Sequence, residues 1–275
     1  MRLTGQFYRQ YDADLTAEVP AESFRGWSQR MVDVPTNESA LVCMHFWNPG
    51  LDERLPYGPD SPYVGWYRVV EYLPRAVRIT REVMPPLLAA ARSGGLPVIH
   101  VGTRNYASRY PGYAIAEQLA GKSQELPAGA PSTAARETWQ REWSALTQGV
   151  HNMPDIEAGW RHIDIPAEMK PRDEEPLVVD AQQLNAICRE RGIWHLIYCG
   201  FAINWCLLMS PGGMLDMSRL GYTCSAVRDA VTAVENQKTA RHEIGKRTAL
   251  WRVGLHFGYV FDSTDIIAAL RNGPA

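Results

Sequence analysis

Four apolar residues closed by a glycine, Leu196-Ile197-Tyr198-Cys199-Gly200, constrain this chain more than any other stretch. A strand without polar alternation is buried on both faces, the pattern of a parallel sheet covered by helices. Gly200 supplies the freedom that a sharp strand-to-helix turn needs. Asn204 is the expected N-cap of the next helix, which places Cys206 in its first turn. Unpaired N–H groups and the dipole favour an anion there, so the thiol is expected to ionise more readily than a free cysteine. In an open α/β sheet this spot, beyond the carboxyl end of a strand, is also where ligands bind. Taken by itself, Cys206 reads first as a small buried hydrophobe.

The rest of the chain alternates strands with helices. Residues 40–46 (Ala-Leu-Val-Cys-Met-His-Phe) form a first strand, closed by the turn Asn48-Pro49-Gly50. Residues 72–92 carry a helical period through Val77, Met84, Leu87, Leu88 and Ala91, with Pro85-Pro86 forcing a kink or break. Gly94-Gly95 ends that helix, and residues 97–101 form the second strand. Strand, helix, strand in that order implies a parallel pair with a right-handed crossover. Strands are expected at 176–179, 194–199, 222–227 and 259–261. The intervening helices are 182–191, one after Cys206 broken by Ser210-Pro211-Gly212-Gly213 and resuming over 214–220, about 240–253, and 263–270. The fold class is therefore α/β, a three-layer α/β/α sandwich around a mostly parallel six-stranded sheet, Rossmann-like in arrangement.

Two regions fall outside this alternation. Residues 1–37 are too poor in apolar side chains for a core of their own. They are expected to pack as an extension on the main domain (38–275) or on a neighbouring subunit. Residues 104–167 are long for a connection and hold one helix, 132–146, which suggests a lid or a dimerisation element. Residues 56–67, rich in Pro, Gly and Tyr, read as a surface loop bordering a site or an oligomer contact.

Charge and cysteine usage exclude several function classes. A net charge of -2 with 21% charged residues gives no field that calls for nucleic acid or an anionic membrane. None of the five cysteines is spaced as CxxC, so neither a zinc site nor a disulfide framework is suggested. The N-terminus lacks an apolar leader and no stretch approaches membrane-spanning length, so a reducing, cytoplasmic setting is expected. No G-x-S-x-G, Walker A, G-x-G-x-x-G or H-E-x-x-H motif occurs, and no cofactor is implied.

Gly200-Phe201-Ala202-Ile203-Asn204-Trp205-Cys206 resembles the G-x-A-T-N-x-C turn of the isochorismatase-like cysteine hydrolases, with Ile203 in place of threonine. Ala91-Arg92-Ser93-Gly94-Gly95-Leu96-Pro97-Val98-Ile99-His100 is similar to the second-strand frame of the same family. The resemblance implies that Cys206 is a nucleophile, that Phe201–Ala202 is a cis peptide, and that copies of the chain form a homo-oligomer around a small-molecule substrate. It also implies an aspartate after the first strand and a lysine near the third. The first-strand frame here reads Ala40-Leu41-Val42-Cys43-Met44-His45-Phe46-Trp47-Asn48, so His45 stands at the aspartate position. No lysine lies at the third strand end, where Asp180 or Val179 falls instead, and Lys170 is well upstream. Residues 104–113 contain no histidine, so the metal site of nicotinamidases is not expected.

Two readings follow. In one, Cys206, His45 and Asp180 form an altered triad: imidazole takes the thiol proton and a carboxylate fixes its tautomer. Phe201, Ala202 and Trp205 then border the acyl group, with backbone N–H groups around Trp205 and Cys206 as the oxyanion hole. Trp47 and Asn48 wall the pocket, and Arg104 holds a substrate carboxylate. In the other, the reaction is lost, His45 fills space, and the chain binds a small molecule or acts as a scaffold.

Overall fold

The structure, a computed structural model, describes residues 1–51, 61–121 and 131–272. All six expected strands occur, and a hairpin extends their sheet to eight. The strands are β1 (Arg2–Arg9), β2 (Gly26–Asp33), β3 (Ser39–Met44), β4 (Val98–Val101), β5 (Leu177–Val178), β6 (His195–Phe201), β7 (Thr223–Thr232) and β8 (Val260–Phe261). Their order across the sheet is β2-β1-β8-β7-β6-β3-β4-β5. The six from β3 to β8 pair in parallel, while β1 lies antiparallel to both β2 and β8. The N-terminal stretch is thus not merely laid against the domain: it continues the sheet, with Gln6 opposite Val260 and with Leu3 and Val32 in the core.

Every residue of β3 and β6 is buried, as the unbroken apolar runs demand. Alternate side chains feed two cores, one on each face. Leu41, Cys43, Ile197 and Cys199 meet the helices Met84–Ser93 and Ser263–Arg271. Ala40, Val42, Met44, Leu196 and Tyr198 meet Ala181–Glu190, Met214–Arg219 and Ile244–Arg252. The result is the three-layer sandwich.

Pro85-Pro86 does not break its helix. Neither proline can donate a backbone hydrogen bond, and the helix accommodates both by widening into a π turn over Ile79–Val83 between Leu73–Arg78 and Met84–Ser93. Met84 N–H donates to the Ile79 carbonyl, one residue further back than in an α-helix. The region 104–167 is richer in helix than expected, with Arg104–Ala107, Pro111–Ala120 and Met153–His162 beside Ala134–Gln148. Part of that region (122–130) and the first part of the loop 56–67 (56–60) lie outside the described residues.

Strand order sets the position of the site. From β3 the chain moves outward through β4 and β5, then returns to the other side of β3 with β6 and continues to β7 and β8. The order reverses between β3 and β6, and a crevice opens beyond their carboxyl ends at such a point. His45 follows β3 and Cys206 follows β6.

Candidate active site at Cys206

The turn after β6 is built by close backbone approach. Gly200 has φ +124°, and a Cβ there would lie 1.9 Å from the Met44 carbonyl oxygen on β3. Only glycine meets both conditions. The Phe201–Ala202 peptide is cis, as the resemblance implies. Asn204 is not the N-cap. Its side chain instead holds the end of β7: Nδ2 donates to the Val234 carbonyl (2.8 Å) and Oδ1 accepts from Val234 N–H (2.9 Å). Trp205 occupies the cap position without a side-chain cap bond, and the helix it opens, Cys206–Met209, is one turn long. Ser210-Pro211-Gly212-Gly213 then interrupts it, as expected, before Met214–Arg219. A single turn gives a smaller dipole at Cys206 than a full helix would.

Cys206 is the one cysteine that is not buried. It opens on a cleft of about 620 Å³, within the range of small-molecule sites. Trp47, Trp66, Trp160, Trp205, Tyr72 and Val234 form much of the wall, and Glu71 and Arg68 supply its charge. Three of the tryptophans brace one another edge to face, with ring centroids 4.9–5.6 Å apart. The end of the helix Ala134–Gln148 contributes Thr147 and Gln148 to the rim. Region 104–167 thus reaches the wall of this cleft.

Trp205 N–H donates to the Ala202 carbonyl (3.1 Å), as does Leu207 N–H (3.1 Å). Trp205 therefore does not contribute a backbone donor to an oxyanion hole. Cys206 N–H has no acceptor among the described residues, which leaves it available.

The other expected site residues have varied fates. His45, in the left-handed region at φ +54°, stacks on Trp47 with ring centroids 5.0 Å apart. It faces a small apolar cavity lined by Trp47, Tyr72, Leu73 and Phe201, and is not among the described residues lining the Cys206 cleft. Burial pushes its imidazole down to about 4, so it is neutral at pH 7. Its Nδ1 is buried and finds no hydrogen-bond partner among the described residues. Asp180 accepts from Gln183 N–H (2.9 Å) as the N-cap of Ala181–Glu190 and is not part of the described cleft wall. Of Cys206, His45 and Asp180, only Cys206 lines the described cleft, and β5, which precedes Asp180, is three strands from β6, with β3 and β4 between them.

Trp47 and Trp205 do line the cleft, while Phe201 belongs to the neighbouring cavity and Ala202 is buried beneath the turn. Asn48 serves structure: its Oδ1 accepts from Asp164 N–H (2.9 Å) and its backbone N–H donates to the Asp164 carbonyl (3.0 Å). Arg104 is exposed on the helix Arg104–Ala107 and does not appear in the described wall. Among the described residues no group of three His, Cys, Asp or Glu converges as a metal site, and no helix is long and apolar enough to cross a membrane.

Glu71 and Tyr72 are the residues that sequence reasoning passed over. They immediately precede Leu73–Arg78 and enter the cleft beside Cys206. Burial, with the Cys206 and Glu71 charges nearby, pushes the Tyr72 hydroxyl above its ordinary range, so it keeps its proton. A carboxylate and a phenol ahead of a helix are unremarkable as text, and no motif would have flagged them.

The Isochorismatase domain family profile matches residues 73–265, beginning after the first strand and His45. No curated protein matches the chain. Among solved structures, a cysteine hydrolase from Pseudomonas syringae pv. phaseolicola shares 15% identity over 87% of this chain and 95% of its own, with a TM-score of 0.47. An isochorismatase family protein from Burkholderia thailandensis shares 18% identity over 87% of this chain and 100% of its own, with a TM-score of 0.44. A putative isochorismatase from Burkholderia xenovorans shares 16% identity over 87% and 91%, with a TM-score of 0.45. With the profile spanning more than half of its length and including the turn that carries Cys206, the chain belongs to the isochorismatase family.

Proposed function

We propose that this protein is a cysteine hydrolase in which Cys206 attacks the carbonyl carbon of a small amide or related acyl compound. The observation that carries this reading is that one thiol of five reaches a cleft, at the cis-peptide turn where the family resemblance places the nucleophile. Attack forms a C–S bond while the carbonyl π electrons move to oxygen, where Cys206 N–H is available as a donor. Collapse expels the amine and leaves a thioester, which water then hydrolyses. The tryptophan-lined wall favours a substrate with a flat or apolar body.

Native-state alkylation tests the reading. Iodoacetamide near neutral pH is expected to modify Cys206 and none of Cys43, Cys188, Cys199 or Cys224, as read by peptide mass. The acyl-enzyme formed from p-nitrophenyl acetate is expected to disappear in Cys206→Ala. Labelling that requires prior denaturation overturns the proposal.

A second reading, binding without turnover, is favoured by one observation: the residue at the family aspartate position, His45, stands outside the described cleft wall with its basicity suppressed. It predicts ligand-induced thermal stabilisation that survives Cys206→Ser, with no hydrolysis across an amide panel.

A further inference from the structure

The cleft lacks the expected base, yet a carboxylate is held at the nucleophile's side by a chain of hydrogen bonds. Asn204, two residues before Cys206, grips Val234 through both backbone groups (2.8 and 2.9 Å). The next residue, Glu235, donates its N–H to Glu71 Oε1 (2.9 Å). A second link runs in parallel. Ile203 N–H donates to the Thr232 carbonyl (2.8 Å), and Arg75 Nε donates to Thr232 Oγ1 (3.0 Å). Arg75 Nη2 donates to both Glu71 oxygens (2.8 and 2.9 Å). The loop that presents Cys206 and the carboxylate of Glu71 are therefore fixed to the same strand end.

An ionised carboxylate offers about four lone-pair sites. Arg75 and Glu235 N–H take three of them, which leaves one free on Oε2. Arg75 is itself divided, because its Nε lies 3.3 Å from Glu243 Oε1. It is thus not a full counter-ion for Glu71 alone. The other charged group of the cleft, Arg68, faces Asp155 and Asn152. Tyr72, adjacent in sequence, also lines the cleft, and its hydroxyl has no hydrogen-bond partner among the described residues.

From this arrangement we infer that Glu71 exchanges the proton of Cys206 and that the Tyr72 hydroxyl donates to the developing oxyanion. The assignment rests on the hydrolase reading above. Glu71 carboxylate takes the Sγ proton as sulfur bonds to the acyl carbon, and passes it to the leaving amine when the C–N bond breaks. In the second half it takes a proton from the attacking water and returns it to sulfur when the C–S bond breaks. No oxidant, reductant or cofactor is needed.

Two probes separate the roles, since alkylation by iodoacetamide develops no oxyanion and acylation by p-nitrophenyl acetate does. In the wild type, alkylation of Cys206 is expected to hold a pH-independent plateau above the carboxylate range, because Glu71 assists the thiol. Glu71→Gln is expected to remove that plateau and leave a rate that rises tenfold per pH unit, as for an unassisted thiol. Tyr72→Phe is expected to leave alkylation within twofold and slow acylation about 10²-fold. Should Glu71→Gln fail to fold, Glu71→Asp keeps the charge, withdraws the carboxylate and is expected to lower the plateau about tenfold.

A plateau unchanged in the Glu71 variant, or acylation unchanged in Tyr72→Phe, overturns the assignment while leaving Cys206 as nucleophile. Absence of native alkylation in the wild type overturns the hydrolase reading itself.

Discussion

Asn204 and Val234 are joined by a two-way amide pair, with Nδ2 donating to the carbonyl and Oδ1 accepting the N–H. The pair fastens the Cys206 turn to the end of β7 across 30 residues of sequence. Asn204→Ala is expected to cost about 1–3 kcal/mol, because both Val234 groups lose their partner in a half-buried setting. Asn204→Asp should cost at least as much, since a carboxylate cannot donate to the Val234 carbonyl. Denaturant unfolding measures the cost, and iodoacetamide kinetics in the same variants report whether the thiol stays positioned.

Gly200→Ala should be among the most damaging single changes in the chain. The new Cβ would lie 1.9 Å from the Met44 carbonyl at φ +124°. Summing ~1–3 kcal/mol for the backbone conformation and ~1–3 kcal/mol for overpacking gives a loss of roughly 2–6 kcal/mol. Gly95→Ala, with φ +70° but nothing within 4 Å of the new Cβ, is the control and should lose less.

Acid stability has two windows. Burial lowers His45 and His195 to about 4, so the unfolded chain binds their protons between about pH 6.5 and 4 while the folded chain does not. Stability from these groups is complete above about pH 6.5 and is lost as pH falls toward 4, by up to about 3 kcal/mol each. Glu175 behaves in the same direction at lower pH. Burial raises it, but hydrogen bonds from Arg92, His100 and Arg172 N–H outweigh that and bring it down to about 2. Its contribution is complete above about pH 4.5 and is lost on falling through 2. Chemical denaturation as a function of pH should show both steps, and His45→Asn, which suits the left-handed backbone, should flatten the first.

The helix Ala134–Gln148 contains no buried residue and exposes Trp139, Trp143 and Leu146, with Val150 following one turn on. Spacings of four and three place the three helical side chains, Trp139, Trp143 and Leu146, on one stripe. Trp139→Ser with Trp143→Ser should change stability by about 0.5 kcal/mol or less, as exposed substitutions do. In light scattering the same double variant should lower the molar mass of the expected homo-oligomer; an unchanged mass would remove this stripe from its interface.

What residue order alone determined is the layered architecture and the turn that carries Cys206. Unbroken apolar runs within β3 and β6, each closed by a turn, point to a doubly covered parallel sheet, and the glycine before Cys206 marks the sharp turn. Strand order and long-range hydrogen bonding decided the remainder. The hairpin of β1 and β2 joins the sheet through edge pairing that its mixed pattern does not announce. His45 stands at the right place in its frame, yet stacking on Trp47 and burial turn it into a neutral neighbour of the cleft. Asp180 caps its own helix and is absent from the described cleft wall. Glu71 reaches the cleft only because Arg75 and Glu235, 160 positions apart in the numbering, converge on it. Local pattern encodes strands, turns and caps; which side chains share one cavity is set by packing between distant elements, and no single window of sequence contains it.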